Sequence, residues 1–441
     1  MHPNLYRQRG AIAIMVALAL LVLLSLVGLI VDGGLAYMTK ARLNAAVDSA
    51  ALAAARAVTI GNNQAEQRAS AQDAAARFFA ANIPQGYLLS KPKLLGTDVA
   101  FNAGTVTIDV RAEAPMPVSL MQMTGFSSMT PGASAQTIRR DLDMAFVVDT
   151  SSSLRSVGAT VRASAKSFLN KFNVTQDRVA LINFSAGAEV DSPINRSARG
   201  FDRPGMLSKI DQYDFPAYTS SIEGMWHARD QLKGIPAENR SSLRVIVFFS
   251  DGVPNGIGAR WPFLDNGCNK TGIIVMANGR LTGLYDPNSS ADHLLSGCNL
   301  EDSWGRQRVN KLPPWYNAHN LNDDVALREL RIVTGTPRAV TDDLNGTNLL
   351  RAARNLPEAI AAKAREEGMF VFTLGMGPDL RKIVDGEKGE DFLKCMANVA
   401  DGPSRCFKPD EPVGMYCYAA TEADLTPCFS RLASAILRIA K

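Results

Sequence analysis

Residues 144–153 read MAFVVDTSSS. The run from Met144 to Val148 is apolar without interruption, the pattern of a strand buried on both faces in a parallel sheet. It delivers Asp149, Ser151 and Ser153 to its C-terminal end, one carboxylate and two hydroxyls within five positions. Hard oxygen donors of this kind suit Mg²⁺ or Mn²⁺, which keep bound water and leave coordination positions open. Open α/β sheets bind ligands at the carboxyl ends of their strands.

Two later segments fit the same end of the same sheet. RVIVFFSDG (244–252) is a second apolar strand and ends in Asp251-Gly252. Between the two, Tyr218-Thr219-Ser220 precedes a helix-like run, IEGMWHARDQL, so Thr219 offers a third hydroxyl from a loop. Around them β and α patterns alternate. Helices are expected at 157–172, 205–212, 220–233, 356–367 and 424–440. Strands are expected in RVALINFSAGAEV, RVIVFFSD and MFVFTLGM. The fold class is therefore α/β, with a doubly wound, Rossmann-like sheet. The competing reading of the Ser-rich turn is a simple cap on helix 157–172.

The order Asp-x-Ser-x-Ser, then Thr before a helix, then strand-Asp-Gly resembles the metal-ion-dependent adhesion site of von Willebrand factor type A domains. The resemblance implies that Asp149, Ser151, Ser153, Thr219 and Asp251 are the metal ligands, Asp251 acting through water. It also implies that the open metal position accepts a carboxylate from a partner. One departure stands beside Thr219: the family often has Gly there, and this chain has Ala217-Tyr218. Tyr218 is expected to narrow access to the metal.

Catalysis finds little support. A haloacid-dehalogenase-type phosphotransferase needs a second Asp two residues after the first, and Ser151 holds that place. No G-x-S-x-G elbow follows a strand and no G-x-x-x-x-G-K-[ST] phosphate loop occurs. His227, two helical turns past Thr219, reads as a helix-surface or core residue. The expectation is a binding protein, not an enzyme, with no small-molecule substrate. Of 441 residues, 46% are hydrophobic and 20% charged, which excludes a disordered chain. A net charge of +4 from 47 basic and 43 acidic residues, with no long basic run, gives no sign of nucleic-acid binding.

Residues 11–31, AIAIMVALALLVLLSLVGLIV, contain no charge and one Ser. Twenty-one helical residues extend about 31 Å, matching a hydrocarbon core of about 30 Å. Arg7 and Arg9 precede the span and Asp32 follows it, so the positive-inside rule sets the N-terminus (1–10) in the cytoplasm. A cleaved signal peptide is the competing reading, but the run is longer than a signal h-region and continues into VDGGLAY, which has no A-x-A. Residues 32–83 form an Ala-rich helical stalk, with a break expected at Gly61-Asn62-Asn63. Its Ala face packs on its own domain or on a partner helix. Residues 84–140, with VAF, TVTIDVRAEA and SAQTIRR, read as a small α+β region. The large domain then spans 141–441.

The 118 positions from Asp251 to Met369 far exceed one crossover helix. Residues 254 to about 350 are therefore mostly an insertion, leaving the sheet beside the expected metal. Trp261, Trp304 and Trp315 lie in it, either filling a small core of its own or forming an aromatic binding surface. The six cysteines, Cys268, Cys298, Cys395, Cys406, Cys417 and Cys428, all fall on the predicted outer side and suggest disulfides. Cys268 with Cys298 is a natural pair. The other four recur every eleven residues and allow three pairings. A zinc site is the rival, without any C-x-x-C spacing to support it.

The N-terminal stretch RQRGAIAIMVALALLVLLSLVGLIVDGGLAYMTKARLNAAVDSAALAAA is similar to the membrane segment of TadE/TadG-like proteins, which assemble the tight-adherence (Flp) pilus of bacteria. A type A domain after this segment is the TadG arrangement. The resemblance implies a single-pass component of the bacterial inner membrane, with the bulk of the chain periplasmic or extracellular. Other pilus-assembly or envelope proteins would be its partners. Related pilin-like subunits are cut after a Gly with Glu five residues on. Here Gly10 is followed by Met15 at that position, so no such processing is expected. The alternatives carried forward are a structural pilin-like subunit whose metal only braces loops, a surface adhesin, and a metal-dependent hydrolase.

Overall fold

The computed structural model describes residues 11–439 except 59–63, 103–104, 217, 265–267, 269, 321 and 323. The expected helix break at Gly61-Asn62-Asn63 and the residues around Gly10, with Arg7 and Arg9, lie outside the described residues. The chain divides into two compact units, Met1–Arg139 and Arg140–Lys441.

In the first unit, helix α1 runs without interruption over Ala11–Ala57, so the apolar span and the first part of the stalk are one helix. It is long and apolar enough to cross a membrane. Most side chains between Ile12 and Val31 are exposed, whereas Leu43, Ala46, Val47, Ala50 and Ala54 are buried. The latter pack with Ala71, Ala75 and Phe79 of α2 (Gln64–Asn82). A three-stranded sheet, β1 (Lys93–Asn102), β2 (Thr105–Glu113) and β3 (Gly132–Arg140), completes this core. Val106, Ile108, Val110 and Ala112 of β2 alternate onto it, as a strand of period two requires. The Ala face of the stalk is thus covered by its own unit.

The second unit is built on a six-stranded sheet. Its strands are β4 (Leu142–Asp149), β5 (Arg178–Phe184), β6 (Ala188–Ser192), β7 (Leu243–Ser250), β8 (Met369–Met376) and β9 (Met415–Ala419). Their order is β9-β8-β7-β4-β5-β6, parallel throughout except for the antiparallel edge strand β6. Every residue of the central strand β4 is buried. Ala145 and Val147 face a core shared with α3 (Ser221–Lys233), α4 (Gly346–Glu366) and α5 (Asp391–Ala397). Met144, Phe146 and Val148 face the opposite core, with α6 (Gly158–Leu169), α7 (Arg203–Asp211) and α8 (Leu425–Ile439). Helices on both faces make the sheet doubly wound.

Three expectations need correction. Helix α4 begins at Gly346, ten residues before the expected start, because Asn345 caps it by accepting from the Asn348 amide at 2.9 Å. Pro357 lies inside the helix. An interior Pro costs about 3 kcal/mol or more, offset by the buried face Leu349, Ala352, Ala353, Leu356, Ile360 and Ala361. Helix α5 and strand β9 were not expected; they are 7 and 5 residues long. Last, the insertion does not form a core of its own. Its antiparallel strands Gly256–Arg260, Thr271–Ala277 and Arg280–Tyr285 contribute Ile257, Ile274 and Leu284 to the same core as α3 and α4.

A buried polar latch holds the insertion to α3. Glu223 is fully buried, and one of its carboxylate oxygens accepts from Tyr316 Oη at 3.0 Å and pairs with His319 Nε2 at 2.8 Å. Trp226 stacks on the His319 ring at 3.7 Å. The tryptophans of the insertion divide. Trp261 is buried and donates to the Gly272 carbonyl at 2.8 Å. Trp315 lies under the Arg331 guanidinium at 4.3 Å. Trp304 is 83% exposed.

All six cysteines pair: Cys268–Cys298, Cys395–Cys406 and Cys417–Cys428. The last joins β9 to α8, and the second ties α5 to the loop that precedes β9. Non-reducing peptide mapping is expected to recover these three linked pairs and no free thiol. A Cys406–Cys417 linkage would contradict the architecture.

Candidate metal centre

Strands β4 and β7 lie side by side in parallel register, Val148 opposite Phe249. Asp149 therefore ends next to Ser250 and Asp251. The Asp149 side chain is fully buried. One of its oxygens accepts from the Ser151 amide at 2.8 Å and the other from the Ser250 hydroxyl at 2.6 Å. The Ser151 and Ser153 hydroxyls stand 3.2 Å apart, and Ser153 donates to Asp251 at 2.8 Å. A continuous polar chain thus links Asp149, Ser151, Ser153 and Asp251.

Thr219 reaches this cluster from the loop before α3. Its amide donates to the Asn255 side chain at 2.9 Å and its carbonyl accepts from the Asn255 amide at 2.9 Å. A Cβ placed on Gly252 would lie 3.9 Å from the Thr219 hydroxyl, which sets that hydroxyl beside the Asp251-Gly252 turn. All five residues expected from sequence converge at the carboxyl end of the sheet. Ser250 and Asn255 were not anticipated. The signal for Ser250 was its place between an apolar strand and Asp251. Asn255 had none, since its partner is 36 positions away.

Ala217 lies outside the described residues. The Tyr218 ring packs 5.0 Å from that of Tyr285, in a cluster with Ala186, Ile273 and Val275. It is thereby tied to the insertion's sheet. His227 stands 5.1 Å from the His319 ring, and burial with that neighbour lowers its pKa to about 4. It belongs to the insertion latch, as a core histidine would.

The electrostatics of the centre are those of crowded acids. Burial pushes Asp149 up to about 6, against the hydroxyl and amide bonds that favour its charged form. Burial, then repulsion from Asp149, pushes Asp251 up to about 8. A cation beside two such carboxylates would favour their ionised forms. The donors present are carboxylate and hydroxyl oxygens, which match Mg²⁺ or Mn²⁺ and offer no thiolate or imidazole for a softer ion.

Comparison with known proteins gives two family matches. The TadE/G-like Flp pilus-assembly family matches residues 10–57. The von Willebrand factor type A domain matches residues 144–253, a stretch that contains all five residues above. The two matches, in this order, are those of a TadG-type protein. No curated protein matches its sequence. Among solved structures, this chain is similar to the SpaC pilus adhesin of Lactobacillus rhamnosus GG in its open conformation. The identity is 12% and the TM-score 0.39, covering 80% of this chain and 34% of that one. This chain therefore spans about a third of SpaC. It is also similar to the vWF domain of the type V pili tip protein Mfa5 of Porphyromonas gingivalis. That likeness has 14% identity and a TM-score of 0.40, and covers 69% of this chain and 98% of that one. A third is proximal thread matrix protein 1 of the mussel byssus, with a zinc-occupied MIDAS motif. It has 12% identity and a TM-score of 0.33, and covers 68% of this chain and 46% of that one.

The raised acids set a pH dependence. Each carboxyl holds its proton more tightly in the folded than in the unfolded chain, so ionisation costs the folded state. The metal-free protein is expected to lose stability as pH rises from 3.8 through about 6 and about 8. Denaturation in the presence of chelator checks this. Asp149→Asn removes one of the two acids and relieves Asp251, so its loss over that window should be shallower than wild type.

Proposed function

We propose that this chain is a membrane-anchored, extracytoplasmic scaffold of Flp (tight-adherence) pilus assembly. It captures partner proteins through a divalent cation held by Asp149, Ser151, Ser153, Thr219 and Asp251. The observation that carries this reading is the convergence of those residues, from three separate segments, on two buried carboxylates. The TadE/G-like segment at 10–57 ahead of the type A domain supports the assignment to pilus assembly.

Each residue has a stated part. Asp149, set by the Ser151 amide and the Ser250 hydroxyl, supplies the buried negative charge. Ser151, Ser153 and Thr219 supply neutral oxygens, with Asn255 fixing the Thr219 backbone. Asp251 supplies the second charge, through water. A bound Mg²⁺ contributes an electrophilic position that accepts a partner's Asp or Glu carboxylate. The insertion leaves the sheet directly after Asp251 and rims that position, so it selects among partners. The helix α1 anchors the chain in the inner membrane with its N-terminus in the cytoplasm.

The structural-subunit reading relied on the Ala face of the stalk packing against a partner helix, and that face is already covered within the first unit. The two readings separate on chelation: partner capture fails in EDTA under the adhesion reading and survives under the structural one. A Mg²⁺ or Mn²⁺ titration followed by melting tests the site itself. At a metal concentration a hundred times Kd, wild type should gain about 2.7 kcal/mol, and Asp149→Ala should gain nothing. Equal gains, or none in either, would refute the ligand assignment.

A further inference from the structure

The loop that follows β2 is fastened to the end of the apolar span. Asp32 is buried, and its carboxylate accepts from the amides of Ser119, Leu120 and Met121 at 3.1, 2.9 and 2.8 Å. One helical turn earlier, Gly28 lets the same loop approach. A Cβ on Gly28 would lie 2.9 Å from Leu120 Cβ and 3.2 Å from the Leu120 and Met121 backbone. Further along, Lys40 donates to the Gly132 carbonyl. These bonds fix the height of the loop along α1 within the first unit.

The composition of the loop suits that height. No charged residue occurs between Glu113 and Arg139, in a chain where one residue in five is charged. The part held against the helix reads SLMQMTGF (119–126), and Phe126 is 57% exposed. Gly28 lies three residues inside the end of the apolar run, about 4.5 Å along the axis. A loop packed there sits where hydrocarbon gives way to headgroups. Backbone amides at that depth need partners, and Asp32 satisfies three. The same three bonds let a carboxylate stand at the edge of the bilayer. Apolar side chains with no charge among them are what an interfacial segment buries.

We propose that residues 119–126 form a second membrane contact, lying in the interfacial layer of the bilayer beside residues 28–32 of α1. The occupant of this surface is lipid. The loop and α1 together make a two-point foot that restrains tilt of the first unit on the membrane. The proposal rests on reading residues 11–31 as a membrane span.

The test uses the full chain in phosphatidylcholine vesicles brominated high on the acyl chains. Phe126→Trp places a reporter in the loop. Phe78→Trp, on the exposed face of α2, serves as control, and the four native tryptophans set the background. The expected result is lipid quenching of Phe126→Trp in excess of wild type, with Phe78→Trp at background. Adding Asp32→Ala should lose that excess. Protein that floats with vesicles while Phe126→Trp stays at background overturns this inference and leaves the span intact. Protein that fails to float overturns the span itself. Fluorescence of Phe126→Trp that shifts to the blue without bromine quenching would put a protein partner on the loop and also overturn the proposal.

Discussion

Two carboxylates end neighbouring strands in the middle of a sheet, one fully buried and the other close beside it. Asp149 and Asp251 are placed by the parallel register of β4 and β7, and their hydrogen-bond partners among the described residues are serines, with no cationic side chain. Burying ionised groups is expensive unless something offsets the charge. The surrounding hydroxyls lower that cost without removing it, since both acids remain raised. The contrast with Asp143, at the other end of β4, is direct. Asp143 is equally buried, but Arg178 grips it bidentately at 2.8 Å and Arg199 adds a bond at 2.7 Å. β4 thus carries a neutralised acid at its foot, while at its head Asp149 stands with Asp251, the residue after β7, without a counter-charge among their hydrogen-bond partners. That asymmetry is what motivates the proposed cation at the head of the sheet.

The fold and the centre were legible where local pattern and long-range consequence agree. β4 and β7 are continuous apolar runs closed by polar residues, so both their burial and the position of Asp149 and Asp251 follow from reading along the chain. Thr219 was legible because it precedes an amphipathic helix. Ser250 and Asn255 act through partners 101 and 36 positions away, and only the folded register brings them in. Helix α4 extends ten residues ahead of the expected start because its buried apolar face continues on both sides of Pro357. Helix α5 and strand β9 are too short to show a period.

The cysteines make the same point. Their spacing of eleven left three pairings for the last four, and each was locally acceptable. The choice is made by where α5 and α8 pack around the edge strand β9. The insertion is likewise a long-range object. Its attachment through Glu223 to Tyr316 and His319 spans 93 and 96 positions, and it shares the core of the domain instead of making its own. Under the proposed adhesion function, a rim anchored in this way is held in place where it meets the sheet, as a designed binding site needs.

The central claim is that the head of the sheet holds a divalent cation on three hydroxyls and two acids. It is tested most directly by anomalous diffraction from crystals of residues 140–441 grown with Mn²⁺. The account predicts an anomalous peak about 2.1–2.3 Å from the Ser151, Ser153 and Thr219 hydroxyl oxygens, with further positions filled by water or a carboxylate. A clean map with no peak at saturating Mn²⁺, and Ser153 still bonded to Asp251, would contradict it.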